Sequence, residues 1–400
     1  MAEKDLAVMM LTHNHYETVN EILGKDLLFY KNCGIDVYVC DDSDDDETKK
    51  VVESFVEKGF DNIFWVDAHA SKNGDDKYYR ILKGEFRDKD YKYIFPMKDR
   101  AYFSERVINT IMRAIADDFD VIMPVQDLNR WEFHIPRVKY WYNDPVEFFS
   151  HYGQLTTNWR AIVYKVKTML APERIKRFET EYHIGSDCPF NQPVTVFAGL
   201  AELDNPRIYV IHGESAEDMG ESATFNAGSA WVNRVYKLWL DQWVAAVFSL
   251  PAIYDRYKAN VVKAETNLGI LFGSCDTLLL HNRLGLLTQE VFDKYRGTWE
   301  MVSNVPVEWV DMIIQGRFEE LKIAVCNEII YSLRDHDYEK AYYIVTNNQW
   351  LTDLVDDFAL VSRELLFYRL DIYYNGFSDR MDGVTIFQDI VDKVNARNSR

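Results

Sequence analysis

VYVCDDSDDDETKKVVESF, residues 37–55, passes from a short apolar run straight into six carboxylates within seven positions, Asp41 to Glu47. An apolar run that ends in polar residues and is followed by apolar positions at Val51, Val52, Phe55 and Val56 reads as a buried strand, a loop and an amphipathic helix. The same pattern stands earlier in the chain. LAVMML, residues 6–11, ends at Thr12, His13, Asn14 and His15, and Glu17–Tyr30 carries Val19, Ile22, Leu23, Leu27 and Tyr30 near helical spacing before Gly34 breaks the helix. NIFWV (62–66), YKYIFPM (91–97) and FDVIMPV (119–125) supply three more strands, with a helix over 103–116 between the last two.

Strand and helix in alternation predict an α/β fold with a parallel sheet, and such sheets bind ligands at the carboxyl ends of their strands. That rule brings Asp41 and Asp42 together with the Thr12–His15 loop at one crevice. The rest of the acidic run, Asp44 to Glu47, is expected to cap the following helix and oppose its dipole. After about residue 225 the strand signals give way to long amphipathic segments, among them AWVNRVYKLWLDQWVAAVFSL (230–250), VEWVDMIIQGRFEELKIAVCNEIIYSLRDHD (307–337) and DDFALVSRELLFYRLDIYY (356–374). These predict a mainly α-helical C-terminal domain, 226–400, joined to an α/β domain, 1–225, through NAGSA at 226–230.

The bulk composition narrows the function. A net charge of -19, from 64 acidic and 45 basic residues, repels a phosphodiester backbone, so nucleic acid is not an expected partner. Cys33, Cys40, Cys188, Cys275 and Cys326 lack metal-ligand spacing, and MAEKDLAVMML has charges where a secretory leader needs its apolar core; reduced thiols in a cytoplasmic protein are the expectation. His13 and His15 have no ligand partner at helix spacing, which argues against zinc. The chain holds no GxxxxGK, GxGxxG or GxSxG, which disfavours P-loop enzymes, dehydrogenases and serine hydrolases of those types.

AVMMLTHNHYETV followed after a helix by IDVYVCDDSDDDET resembles the opening of family 2 glycosyltransferases of bacterial glycan or glycoprotein type. The resemblance covers about residues 5–215. It implies a GT-A (Rossmann-like) nucleotide-sugar-binding domain in which Thr12, His13, Asn14, Asp41 and Asp42 bind the nucleotide of a donor, most simply a UDP-sugar. Carboxylates at a strand end suit this role, since they accept hydrogen bonds from a uracil imide or ribose hydroxyls. Asp99 and Arg100 stand where the family has its Asp-x-Asp motif, and the resemblance implies a divalent cation, Mn²⁺ or Mg²⁺, on Asp99 with His212 at the end of PRIYVIHGES. The sequence departs from that motif, because Arg100 and Ala101 follow Asp99 where a second carboxylate belongs; Arg100 or Lys98 is then the source of positive charge.

Asp187, on the Gly-Ser loop of IGSDCPFNQPVTVFAGLAEL (184–203), corresponds to the carboxylate that deprotonates the acceptor in inverting GT-A enzymes; read alone it serves equally as a helix cap. Thr156, Thr157, Asn158 and Trp159 lie where acceptor-binding segments fall, or form a loop anchored by its Trp. The expected function is sugar transfer, a hexosyltransferase activity, from a nucleotide-diphosphate donor to a hydroxyl of a glycan or glycoprotein, with inversion. A non-catalytic glycan-binding or partner subunit is the alternative, and a nucleotidyltransferase ranks last because THNHYET lacks glycines and lysines. Oligomeric state and peripheral membrane contact stay open.

Overall fold

The structure is a computed structural model that describes residues 4–126, 139–157, 162–213, 218–221, 234–263 and 274–335, together with 337, 340, 341, 344 and 348. It divides into two compact units, Met1–Val262 and Lys263–Arg400. The junction expected at 226–230 and the segment at 356–374 lie outside the described residues, as do Asn158 and Trp159.

The first unit is built on ten strands among the described residues: β1 (Lys4–Thr12), β2 (Asp36–Asp41), β3 (Ile63–Asp67), β4 (Tyr91–Lys98), β5 (Ala101–Phe103), β6 (Val121–Gln126), β7 (Trp141–Tyr142), β8 (Val163–Lys165), β9 (Ile208–Gly213) and β10 (Met219–Glu221). Eight of them form one sheet in the order β3-β2-β1-β4-β8-β6-β9-β7, and β10 pairs with β5 in a second, antiparallel ribbon. β1 is central and runs parallel to both β2 and β4. Its residues Leu6 to Leu11 are all buried, as expected of a strand with helices on both faces. Leu6, Val8 and Met10 alternate onto the face that packs with Val37, Val39 and the apolar stripe of α1 (Tyr16–Asn32), in the cluster shared with Val52 of α2 (Glu47–Glu57).

The sheet is mixed, where the sequence pattern predicts a parallel one. β8 inserts antiparallel between β4 and β6, and β7 runs antiparallel on the edge beyond β9. Two- and three-residue strands are too short to show a period, which is why they escape a sequence reading. A helix also stands where none is predicted, α3 (Gly74–Leu82), started by the side chain of Asn73, which accepts from the Asp76 amide at 2.9 Å. α4 (Glu105–Ala116) falls within the expected helix, with Ser104 as its cap.

The amino ends of the strands are closed by a satisfied polar network. Buried Asp36 accepts from Lys4 and from the Tyr91 hydroxyl, each at 2.6 Å, and Tyr38 and Tyr91 hydroxyls lie 3.0 Å apart. The carboxyl ends are left to the loops that form the crevice. Helices also close this unit: α5 (Pro145–Tyr152), α6 (Val166–Met169), α7 (Pro172–Glu181), α8 (Asn191–Ala201) and a helical run from 235 to 249 with a π-helical stretch at Leu238–Trp243. Trp239 and Trp243 of that run pack on Phe190, with ring centroids 5.2 and 4.9 Å away, so this aromatic segment belongs to the α/β unit.

The second unit is helical among its described residues, over Cys275–Arg283, Gln289–Val302, Val307–Ile314 and Phe318–Arg334. Trp299 is buried in it and donates its indole N–H to the Val305 carbonyl at 2.8 Å. No helix among the described residues is long and apolar enough to cross a membrane.

One flaw in the first unit gives a direct test. Oδ2 of Asp26 on α1 is buried without a hydrogen-bond partner among the described residues, and burial raises this carboxyl from an ordinary 3.8 to about 6. A carboxyl that binds its proton more tightly when folded lowers stability as pH rises between those values. Asp26→Asn is therefore expected to raise the melting temperature at pH 7.5 and to give no gain at pH 4, as followed by thermal unfolding.

Candidate functional site

The crevice is set by register. β1 and β2 end level, with Thr12 opposite Asp41, so the loops that leave them run side by side. Asn14 adopts a left-handed backbone, φ 57°, a conformation Asn tolerates better than most residues. That turn lets its amide donate to Ser43 Oγ at 2.8 Å, while its side chain donates to Asp44 Oδ2 at 2.7 Å and accepts from the Asp44 amide at 2.9 Å. Asp44 thus ties the two loops together and does not cap α2 as expected. The turn into α2 is made by Asp45, whose Oδ1 accepts from the Glu47 amide at 3.0 Å.

Asp41 and Asp42, adjacent in sequence, do different work. Asp41 is buried, its Oδ1 accepts from the amide and hydroxyl of Ser43 at 3.0 and 2.5 Å, and its Oδ2 accepts from the Trp65 indole at 3.0 Å. It holds the loop and has little acceptor capacity left for a ligand. Asp42 opens toward the crevice and receives the ammonium of Lys77, a buried residue of α3 that also donates to the Thr12 carbonyl at 2.6 Å. His13 Nδ1 lies 2.9 and 3.1 Å from the backbone and side-chain oxygens of Asp42, both acceptors, so that nitrogen carries the proton. Thr12 Oγ1 is buried and has no partner among the described residues.

Asp99 follows β4 next door. Its amide donates to the Leu11 carbonyl at 3.1 Å, and its Oδ2 accepts from His15 Nδ1 at 2.7 Å. The hydrogen bond to Asp99 raises the His15 pKa above its ordinary value, against a smaller opposing effect of burial. Arg100 is half-buried, and Ala101, where a second carboxylate would stand, is fully buried in β5 opposite Glu221. His69 makes a further contact to the acidic loop: its two nitrogens face Asp67 Oδ1 at 2.7 Å and the Ser43 carbonyl at 2.8 Å, and the Asp67 carboxylate raises its pKa.

Asp187, 112 residues beyond Asp75 in the chain, comes near the first turn of α3. Its loop is shaped by buried Asn191, whose side chain accepts from the Gly185 amide and donates to the Gly185 and Cys188 carbonyls, each at 2.8 Å. Lys72 donates to Ser186 Oγ at 3.3 Å, tying that loop to the residues before α3. Asp187 itself is exposed, and its charge is felt by Asp75 in the first turn of α3. Asp75 is buried and accepts from Arg234 at 3.1 Å; burial, then the Asp187 charge, push its carboxyl up, and Arg234 opposes them.

His212 stands on β9. Its strand, β9, is separated from β4 by β8 and β6, and its ring faces the Lys139 carbonyl at 3.4 Å and the edge of Tyr140 at 5.5 Å between centroids. A divalent cation asks for several oxygen donors at one point, and no group of three His, Cys, Asp or Glu side chains converges in that way among the described residues. Among the described residues the donor set around Asp99 does not by itself fit a cation. Of the expected acceptor residues, Thr156 is buried and Thr157 half-buried; Thr156 Oγ1 donates to the Gly153 carbonyl at 2.7 Å and its own carbonyl receives Gln192.

Lys77, Ser43, Trp65 and the Asp75–Arg234 pair were not legible as site residues. The one available signal is Asn73 with Asp76 three positions later, a helix-start pattern that places Asp75 and Lys77 on the first turns of a helix after β3.

No protein-family model matches the chain, and no curated protein matches it. Among solved structures it is similar to residues 1–349 of S. aureus TarS, at 13% identity and a TM-score of 0.47 over 95% of each chain. It is similar also to the mannosyltransferase PcManGT from Pyrobaculum calidifontis, solved with GDP-Man and Mn2+, at 13% identity and a TM-score of 0.42 over 75% of this chain and 84% of that one. A third likeness is to glucosyl-3-phosphoglycerate synthase from Mycobacterium tuberculosis with Mn2+, UDP and phosphoglyceric acid, at 7% identity and 0.41, over 62% and 80%. With TM-scores below 0.5, these likenesses assign no substrate and no residue role to this chain.

Two outcomes check the site. The His15 ring, followed by NMR, titrates above 6.5 in the native chain and moves down in Asp99→Asn; since its folded pKa is the raised one, the pair's contribution to stability is complete below pH 6.5 and fades as pH rises through the folded value. Asp41→Ala, which strands the Trp65 indole and the Ser43 groups, destabilises the fold by about 1–3 kcal/mol in urea unfolding.

Proposed function

We propose that the chain is a glycosyltransferase of the GT-A type that moves a sugar from a nucleotide-diphosphate donor, a UDP-sugar in the first instance, to a hydroxyl of a glycan or glycoprotein, with inversion at the transferred carbon. One observation carries the reading. The loops after β1 and β2, the end of β4 and the Asp187 loop converge around α3 at the carboxyl edge of a sheet, which is where α/β sheets receive ligands. The family resemblance of residues 5–215 supplies the chemistry for that place.

In this reading the loops at Thr12–Asn14 and Asp42 receive the nucleotide, with Asp42 and the backbone around it offering acceptors to a base or ribose. Asp187, exposed and held on a loop shaped by Asn191, accepts the proton of the acceptor hydroxyl. The acceptor oxygen forms its bond to the sugar's anomeric carbon on one face as the bond to the diphosphate oxygen breaks on the other, and the electron pair leaves with the nucleoside diphosphate. Arg100 and Lys98, at the end of β4, supply positive charge toward the departing group.

The second reading, a non-catalytic relative that binds glycans or partners another transferase, draws on the buried methyl of Ala101 where the motif has a carboxylate. Turnover separates the two. Purified protein is incubated with UDP-, GDP- and dTDP-sugars in Mn²⁺, Mg²⁺ or EDTA, and nucleotide release is measured for native chain and Asp187→Asn. Slow release from one donor, reduced about 100-fold or more in Asp187→Asn while nucleotide binding persists, is the expected result. Binding without release in any condition favours the non-catalytic reading, and neither binding nor release overturns the transferase reading.

A further inference from the structure

The first turn of α3 lies between the two halves of the crevice. Lys77, two residues past Asp75, is bonded to Asp42 and the Thr12 carbonyl on the nucleotide side. Lys72, three residues before Asp75, is bonded to Ser186 beside Asp187. Asp75 thus stands on α3 between the residue bonded to the nucleotide-side cluster and the one bonded beside Asp187. At that point the chain keeps a carboxylate with 8% of its side chain exposed, paired with a guanidinium 159 residues away that is 47% exposed.

Burying a carboxylate behind a single partner is costly unless further hydrogen bonds complete it. Among the described residues Arg234 Nη2 alone donates to Asp75, through one of its oxygens, and Asp75 is the one carboxylate that Arg234 meets. Among the described residues the pair therefore leaves an acceptor oxygen and several N–H donors unmatched. A polyol matches this set, since each hydroxyl both donates and accepts, whereas a phosphate offers acceptors only. The ion pair also fixes where those donors and acceptors stand, so the orientation of a hydroxyl on the ring decides whether both bonds form.

We propose that Asp75 and Arg234 form the subsite that recognises hydroxyls of the transferred sugar and selects among its epimers. The proposal rests on the reading of the chain as a sugar-nucleotide enzyme and goes beyond it by naming which side chains read the sugar. Asp75 receives a ring hydroxyl and Arg234 donates to the same or the neighbouring oxygen, while the nucleotide stays on the Thr12–Asp42 side. Asp187 remains free to face the acceptor.

The test compares bare and sugar-bearing nucleotides on the full chain. UDP, GDP, UDP-glucose, UDP-galactose, UDP-N-acetylglucosamine and GDP-mannose are titrated calorimetrically into native protein, Asp75→Asn and Arg234→Gln. Native protein is expected to bind one sugar nucleotide more tightly than its bare diphosphate and to distinguish epimers. Each variant is expected to lose about tenfold or more for that sugar nucleotide and to bind the bare diphosphate within about twofold of native. Arg234→Gln, at a half-exposed side chain, guards against a folding defect in Asp75→Asn. Equal loss for bare and sugar-bearing nucleotides, or no loss for either, overturns the subsite while leaving nucleotide binding intact. Native protein that binds none of the six overturns the donor reading and the subsite together.

Discussion

The ammonium of Lys77 is the point on which the crevice depends. It is buried between the Thr12 carbonyl and the Asp42 carboxylate, so it joins the end of β1, the loop after β2 and the second turn of α3 in one place. A buried cation needs such partners, because removing either leaves charge in a poorly solvating interior. The level ends of β1 and β2 set up the meeting, and Asn14, Ser43 and Asp44 complete it with bonds between the two loops. The dense negative charge of residues 41–47 is thereby divided: Asp41 folds the loop, Asp42 balances Lys77, Asp44 ties the loop to its neighbour, and Asp45 starts the helix.

From that point the same helix reaches the other half of the crevice. Lys72 and Asp75 lie on the side of the Asp187 loop, and Arg234 comes in from the helical run whose tryptophans pack on Phe190, three residues past Asp187. The segment that the sequence assigns to a C-terminal helical domain thus contributes a cation to the crevice and an aromatic seat beneath its loop. Placement of Asp187 is then a matter of packing on both sides, with Asn191 shaping the loop itself.

Legibility in the sequence is a matter of length and period. β1, β2, β4 and α1 announce themselves because each buries a run long enough to show its pattern, and the strand-end rule then brings Thr12–Asn14 to Asp41–Asp42 without any knowledge of contacts. β5, β7, β8 and β10 are two or three residues each, and no period is readable at that length; with them went the mixed polarity of the sheet. Side-chain roles were harder still. Nothing local says that Asp41 spends one oxygen on Ser43 of its own loop and the other on Trp65 of β3, or that His212 faces Lys139, with two strands between its own and β4. The pairing of Asp75 with Arg234 spans 159 residues, and only the fold brings them together.

Under the proposed function, one crevice organised by Lys77 receives a nucleotide. Amide hydrogen exchange followed by mass spectrometry, with and without saturating UDP or GDP, addresses it without requiring turnover. Slowed exchange is expected in peptides covering 12–15, 41–46 and 72–78, with 274–335 unchanged. Exchange that stays the same in all three peptides, or slows only in the helices of the second unit, would contradict it.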